Sequence, residues 1–78
     1  MTLTTSTTYA GKTIAATLNL KTYRVSLVVN GKKTDEGRWN GGGISEHKGA
    51  ALNPLADYEA QVALFDLNAG LRAQLATR

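Results

Sequence analysis

The sequence contains no cysteine, one proline and one histidine in 78 residues. Without thiols there are no disulfide staples and no thiolate metal sites, which removes the usual stabilisers of a small secreted scaffold. One histidine and six scattered acids do not supply the roughly four convergent ligands of a zinc site. No metal and no cofactor are therefore expected. No apolar run approaches the roughly 18 residues that span a bilayer, and Met1-Thr2-Leu3-Thr4-Thr5-Ser6 has neither the basic nor the apolar stretch of a secretion signal. A soluble, cytoplasmic chain is expected. Acids are missing from the first 34 residues, which carry Lys12, Lys21, Arg24, Lys32 and Lys33, whereas the remainder holds four cations against six acids. The net charge of +3 thus conceals a basic front part of +5 and a rear part of −2. Such a front part can meet phosphates or an acidic protein surface, and it also keeps a sheet soluble and its edges unpaired.

What is present suits one small domain over residues 1–78, since 42% hydrophobic and 19% charged residues are too apolar a mixture for a disordered chain. Thr2 through Lys12 is rich in β-branched threonine with Leu3 and Tyr9, and either adds an edge strand or stays a loose arm. From Thr13 the pattern sharpens: Ile14, Ala16, Leu18 and Leu20 alternate with Thr13, Ala15, Thr17 and Asn19, the period of a strand with one buried face. After Lys21-Thr22, a second alternation sets Tyr23, Val25, Leu27 and Val29 against Arg24, Ser26 and Val28, and stops at Asn30-Gly31, a strong hairpin signal. The returning strand, Lys32 to Asn40, has two registers open to it. A two-residue turn pairs Val29 with Lys32 and puts Trp39 on the face of Arg24; a three-residue turn with a glycine bulge pairs Val29 with Lys33 and puts Gly37 and Trp39 on the core side. Residues 41–53, with Gly41-Gly42-Gly43, Gly49 and Asn53 but only Ile44 and Leu52 as sizeable apolar groups, read as a mobile glycine-rich loop.

Asn53-Pro54 opens a helix over residues 54–78, with asparagine as cap, proline at the first helical position, and Asp57 and Glu59 where the helix dipole favours acids. Two apolar stripes emerge at helical spacing: Leu55, Tyr58, Val62 and Phe65 on one side, Leu64, Leu67, Leu71 and Leu75 on the other. A sheet covers one stripe. The other must meet the N-terminal arm, a second copy or a different protein, unless Gly70 bends the helix so that the chain covers both; the leucine stripe is expected to be an interface with a second copy or another protein. The fold class is α+β, a three- or four-stranded antiparallel sheet packed against one C-terminal helix.

Catalytic constellations are scarce. Nothing orients His47 as a base for Ser45 in a glycine-flanked stretch. Ser45-Glu46-His47-Lys48 matches the Ser-x-x-Lys string of serine β-lactamases without the helical context that string requires. The triple glycine is not followed by the Gly-Lys-Ser/Thr of a phosphate loop. The residues that can bind a partner are Arg24, Lys32, Lys33, Arg38 and Trp39 on the hairpin, where cations meet phosphates and an aromatic meets a base or sugar.

Two resemblances follow. Tyr23-Arg24-Val25, Asn30-Gly31-Lys32, Gly37-Arg38-Trp39 and then Asp57-Tyr58-Glu59-Ala60, three strands before one helix, resemble the AP2-type DNA-binding domain of plant regulators and phage integrases. The departures are a longer stretch from Asn40 to Asn53 and the acids Asp35-Glu36 in the reading strand. That resemblance implies a DNA-binding module using the basic sheet face. The second is to small phage-encoded anti-CRISPR proteins: like a type I-F member, the chain has Val28-Val29-Asn30-Gly31-Lys32, then Gly37-Arg38, then an acid-bearing helix. It implies a non-enzymatic phage or mobile-element inhibitor that covers the surface of a CRISPR surveillance complex where target DNA or a nuclease docks. This is the function expected from the sequence, with direct DNA binding as its rival and a merely structural dimer as a third possibility.

Overall fold

The computed structural model describes residues 1–48 and 58–77. In it the alternating segments become β1 (Thr2–Tyr9), β2 (Lys12–Asn19), β3 (Arg24–Val29), β4 (Lys32–Asn40) and β5 (Gly43–Lys48), followed by α1 (Tyr58–Ala76). Each strand pairs antiparallel with its sequence neighbour, in the order β1-β2-β3-β4-β5. The α+β class, a sheet packed against a C-terminal helix, is as expected from sequence, with five strands in place of three or four.

The two added strands come from the uncertain ends of the meander. The threonine-rich start is a full strand, paired with β2 from Thr2↔Asn19 to Tyr9↔Lys12. Its turn, Ala10-Gly11, has φ of 51° and 76°, the double left-handed geometry that matches the twist of paired strands. Gly41 and Gly42, at φ of 64° and 91°, make the same kind of turn and lead into β5. The glycine stretch is therefore a hairpin over residues 40–48, not a mobile loop, while residues 49–53, the Asn53-Pro54 cap, Leu55 and Asp57 lie outside the described residues.

The β3–β4 hairpin combines features of both candidate registers. Asn30 and Gly31, at φ of 50° and 84°, form the two-residue turn that pairs Val29 with Lys32 and Val28 with Lys33. The register then shifts at Thr34, so that Leu27 faces Asp35, Val25 faces Gly37 and Arg24 faces Arg38. This bulge turns Asp35, Gly37 and Trp39 toward the core and Glu36 and Arg38 outward. Thr34 is the residue without an opposite number. A Thr34 deletion variant should therefore fold with the same β3–β4 pairs, whereas deleting Ser26, which is paired on both sides, turns Val25 or Leu27 outward and should abolish folding. Far-UV circular dichroism with thermal melting separates the two, and an unfolded Thr34 deletion would contradict the assignment.

The core consists of Ile14, Ala16 and Leu18 from β2, Val25 and Leu27 from β3, and Ala60, Ala63, Leu67 and Leu71 from α1. Leu3, Tyr9, Val29, Trp39, Ile44 and Leu75 pack around it. The spacing of Ala60, Ala63, Leu67 and Leu71 defines the helix face that meets the sheet. This corrects the expected interface: Leu67 and Leu71 are wholly buried and Leu75 is half-buried, all packed within the chain's own core, and Leu64 is half-buried. The outward stripe is Tyr58, Val62 and Phe65, which are 77%, 40% and 59% exposed.

The sheet curls so that α1 touches both of its outer strands. On the β1 side, Gln74 Nε2 donates to Thr4 O at 2.7 Å and Thr7 Oγ1 donates to Asp66 Oδ2 at 3.3 Å. On the β4–β5 side, Ile44 N donates to Asn68 Oδ1 at 3.1 Å and Arg72 Nη1 to Gly42 O at 2.9 Å. Asn68 is 8% exposed, so its bond satisfies a buried amide that would otherwise cost stability.

Candidate functional site

α1 packs on the inner face, and the bulge decides which described residues the other face of the sheet displays. Arg24 and Arg38 are direct cross-strand partners. Glu36 stands opposite Ser26 on one side and Lys48 on the other, and Arg38 opposite Ser45. A hollow of about 150 Å³ is lined by Arg24, Glu36, Gly37, Arg38 and Lys48. Among the described residues, three cations and one acid line it.

Directly opposed residues of an antiparallel pair have Cβ atoms about 4.5–5.5 Å apart, and like charges there oppose each other. The register holds Arg24 directly opposite Arg38. The Glu36 carboxylate is ion-paired with Lys33 Nζ at 3.1 Å. That hydrogen bond and the Lys33 charge hold the Glu36 carboxyl below its ordinary value, with smaller help from Arg24 and Lys48. A lowered carboxylate pKa favours the folded, paired form above the unfolded value and loses that benefit as pH falls through the folded value. Glu36 thus stays ionised and turned toward Lys33 through the neutral range.

Of the residues expected to bind a partner, Arg24 and Arg38 come together and Lys33 joins them through Glu36. Lys32 does not: it pairs with Val29 at the hairpin tip, in the inward-facing set. Trp39 is also displaced from the expected site, because the bulge places it opposite Ile44 on the inner face, half-buried against the core. Tyr23 is another correction. The alternation placed it with Val25, yet it precedes β3 and closes the turn with a φ of 59°. Its N–H donates to Asn19 O at 2.7 Å, while Asn19 Oδ1 accepts from Lys21 N and Thr22 N.

Sequence reasoning missed Lys48, because its strand was read as loop. The Ser45–Lys48 string lies on β5, and the Ser45 hydroxyl donates to Arg38 O at 3.4 Å. The side chain of His47 lies outside the described residues. Among the described residues no three histidine, aspartate or glutamate side chains converge on a metal site, and no helix is long and apolar enough to cross a membrane. No family model matches the chain, and neither a curated protein nor a solved structure matches it.

Proposed function

We propose that the chain is a non-enzymatic binding protein that inhibits by occlusion, in the manner of the anti-CRISPR proteins it resembles. Its outward face seats on an anionic surface of a CRISPR surveillance complex in the bacterial cytoplasm and blocks target DNA recognition or nuclease recruitment. The observation that carries this is the direct opposition of Arg24 and Arg38, with Lys48 in the same lining and Glu36 ion-paired to Lys33. Guanidinium groups side by side match the oxygens of phosphates and carboxylates in a fixed fork geometry.

The rival, a sheet that reads duplex DNA directly, needs Trp39 and the arginines on one exposed face. The half-buried Trp39 on the inner face favours occlusion instead.

The test is target-duplex binding by a panel of surveillance complexes with the protein added. Wild type should abolish target binding by at least one complex. Arg24→Glu with Arg38→Glu should weaken the inhibition by about 10- to 100-fold, the scale of lost charge-assisted contacts, while Glu36→Gln should strengthen it by about 2- to 5-fold, as expected for one exposed charge. Full inhibition by the arginine double variant would reject this face. Failure of wild type against the whole panel would reject the reading.

A further inference from the structure

Arg38 borders two hollows on the outward face. Beside the cationic one, a second of about 300 Å³ is lined by Thr22, Tyr23, Arg38, Trp39, Asn40 and Ser45. Its character is different: the hydroxyl residues Thr22, Tyr23 and Ser45, the amide residue Asn40 and a second aromatic residue, Trp39, join Arg38 in the lining. Tyr23 enters it from a left-handed backbone conformation, φ 59°, which glycine adopts freely and a bulky side chain adopts only with strain. The ring is 49% exposed, so core packing does not account for a tyrosine there. Strain of this kind persists where the surroundings enforce it, and it clusters at ligand sites.

A ligand that fills both hollows must carry an anion and, further along β4 past Arg38, a flat ring with polar edges. A nucleotide has both. In a duplex the base faces are stacked and hidden, whereas in a single strand they are free to lie on an aromatic side chain. We propose that the outward face binds one nucleotide of a single-stranded nucleic acid, its phosphate at Arg24, Arg38 and Lys48 and its base against Tyr23. Asn40, Ser45 and Thr22 offer donors and acceptors to the base edge. The inference rests on the preceding reading in that it names which part of the anionic partner this face engages.

The probe is a labelled oligothymidine of about ten nucleotides, titrated by anisotropy at about 50 mM and about 200 mM salt beside a duplex of equal length. Wild type should prefer the single strand by about tenfold or more, with affinity falling as salt rises. Tyr23→Gly should lose about tenfold in affinity or more while its melting temperature rises, because the left-handed strain is relieved. Tyr23→Phe keeps the ring and should bind within about twofold of wild type, since stacking needs only the π-face. Equal affinity for single strand and duplex, or undiminished binding by Tyr23→Gly, overturns the proposal. If no oligonucleotide binds but inhibition of a surveillance complex still depends on Arg24 and Arg38, the occupant is a protein: this inference falls and the functional reading stands. If the oligonucleotide binds and no complex is inhibited, the reverse holds.

Discussion

Replacing Gly70 by leucine is expected to cost the protein a large share of its stability. A Cβ built at Gly70 would sit 2.9 Å from Thr5 Cβ and 3.2 Å from Thr5 Cγ2, closer than carbon atoms tolerate. Thr5 Cβ is fixed to the β1 backbone and cannot swing aside, so α1 has to lift from β1. Overpacking of this kind costs about 1–3 kcal/mol, occasionally more, against a total of about 5 kcal/mol for a small domain. Gly70→Ala sets the clash against a helix-propensity gain of about 1 kcal/mol, so a net loss of up to about 2 kcal/mol is expected. Urea denaturation of Gly70→Ala, Thr5→Gly and the double variant measures the coupling. The double variant should recover much of what Gly70→Ala loses. A Gly70→Ala protein more stable than wild type would show that propensity outweighs the contact and that the close approach is absent.

Leu67→Glu should unfold the chain, while Phe65→Glu leaves it folded. Leu67 has no exposed surface and Phe65 is 59% exposed, although both belong to apolar stripes on one helix. Removing a buried leucine costs about 2–5 kcal/mol, and an unpaired buried carboxylate adds several more, or is forced to protonate. The sum exceeds the stability available. An exposed substitution usually changes stability by no more than about 0.5 kcal/mol, so Phe65→Glu should melt near wild type. Circular dichroism with sedimentation decides the matter: a folded, monomeric Leu67→Glu protein would restore the leucine stripe as an interface and remove it from the core.

What the sequence disclosed, and what it withheld, follows from how each residue contributes. Ile14, Ala16 and Leu18, then Val25 and Leu27, alternate without interruption, and Asn30-Gly31 marks the turn between β3 and β4; all of this was legible. The bulge at Thr34 was not, because no residue type requires it and only the pairing across β3 reveals it. β5 escaped notice for want of apolar alternation, since Ile44 is the one large apolar residue in its sequence, and it packs against the core. The helix misled through its alanines. Ala60 and Ala63 carry little weight in a hydrophobic pattern, yet they set the buried face by letting the helix approach the sheet; four leucines drew the eye to a stripe that turned out to continue that same face.

The site was legible in the same partial way. Arg24 and Arg38 stood out as cations on a hairpin, but their opposition depends on the bulge, and Lys48 depends on a strand that was not foreseen. Trp39 was left between two registers that differ by one residue, and Tyr23 was assigned by alternation, which fails where the chain leaves the strand. The bulge moved Trp39 inward, and the left-handed turn took Tyr23 out of β3 altogether.

The helix that clasps both outer strands also sets the order in which the molecule can assemble. Each hairpin of the meander is closed by a turn of a few residues, so its loop entropy is small. The bonds from Gln74 to Thr4 and from Asp66 to Thr7 join positions 70 and 59 residues apart, and such closures come late because their entropy must be met before any contact offsets it. Until α1 docks, the inner face of Ile14, Leu18, Val25 and Leu27 lies open, and so does the edge of β1. The folding rate then belongs to the meander and the lifetime of the folded state to the clasp. Gly70→Ala, which strikes only the clasp, should accordingly speed unfolding and leave the folding rate nearly untouched.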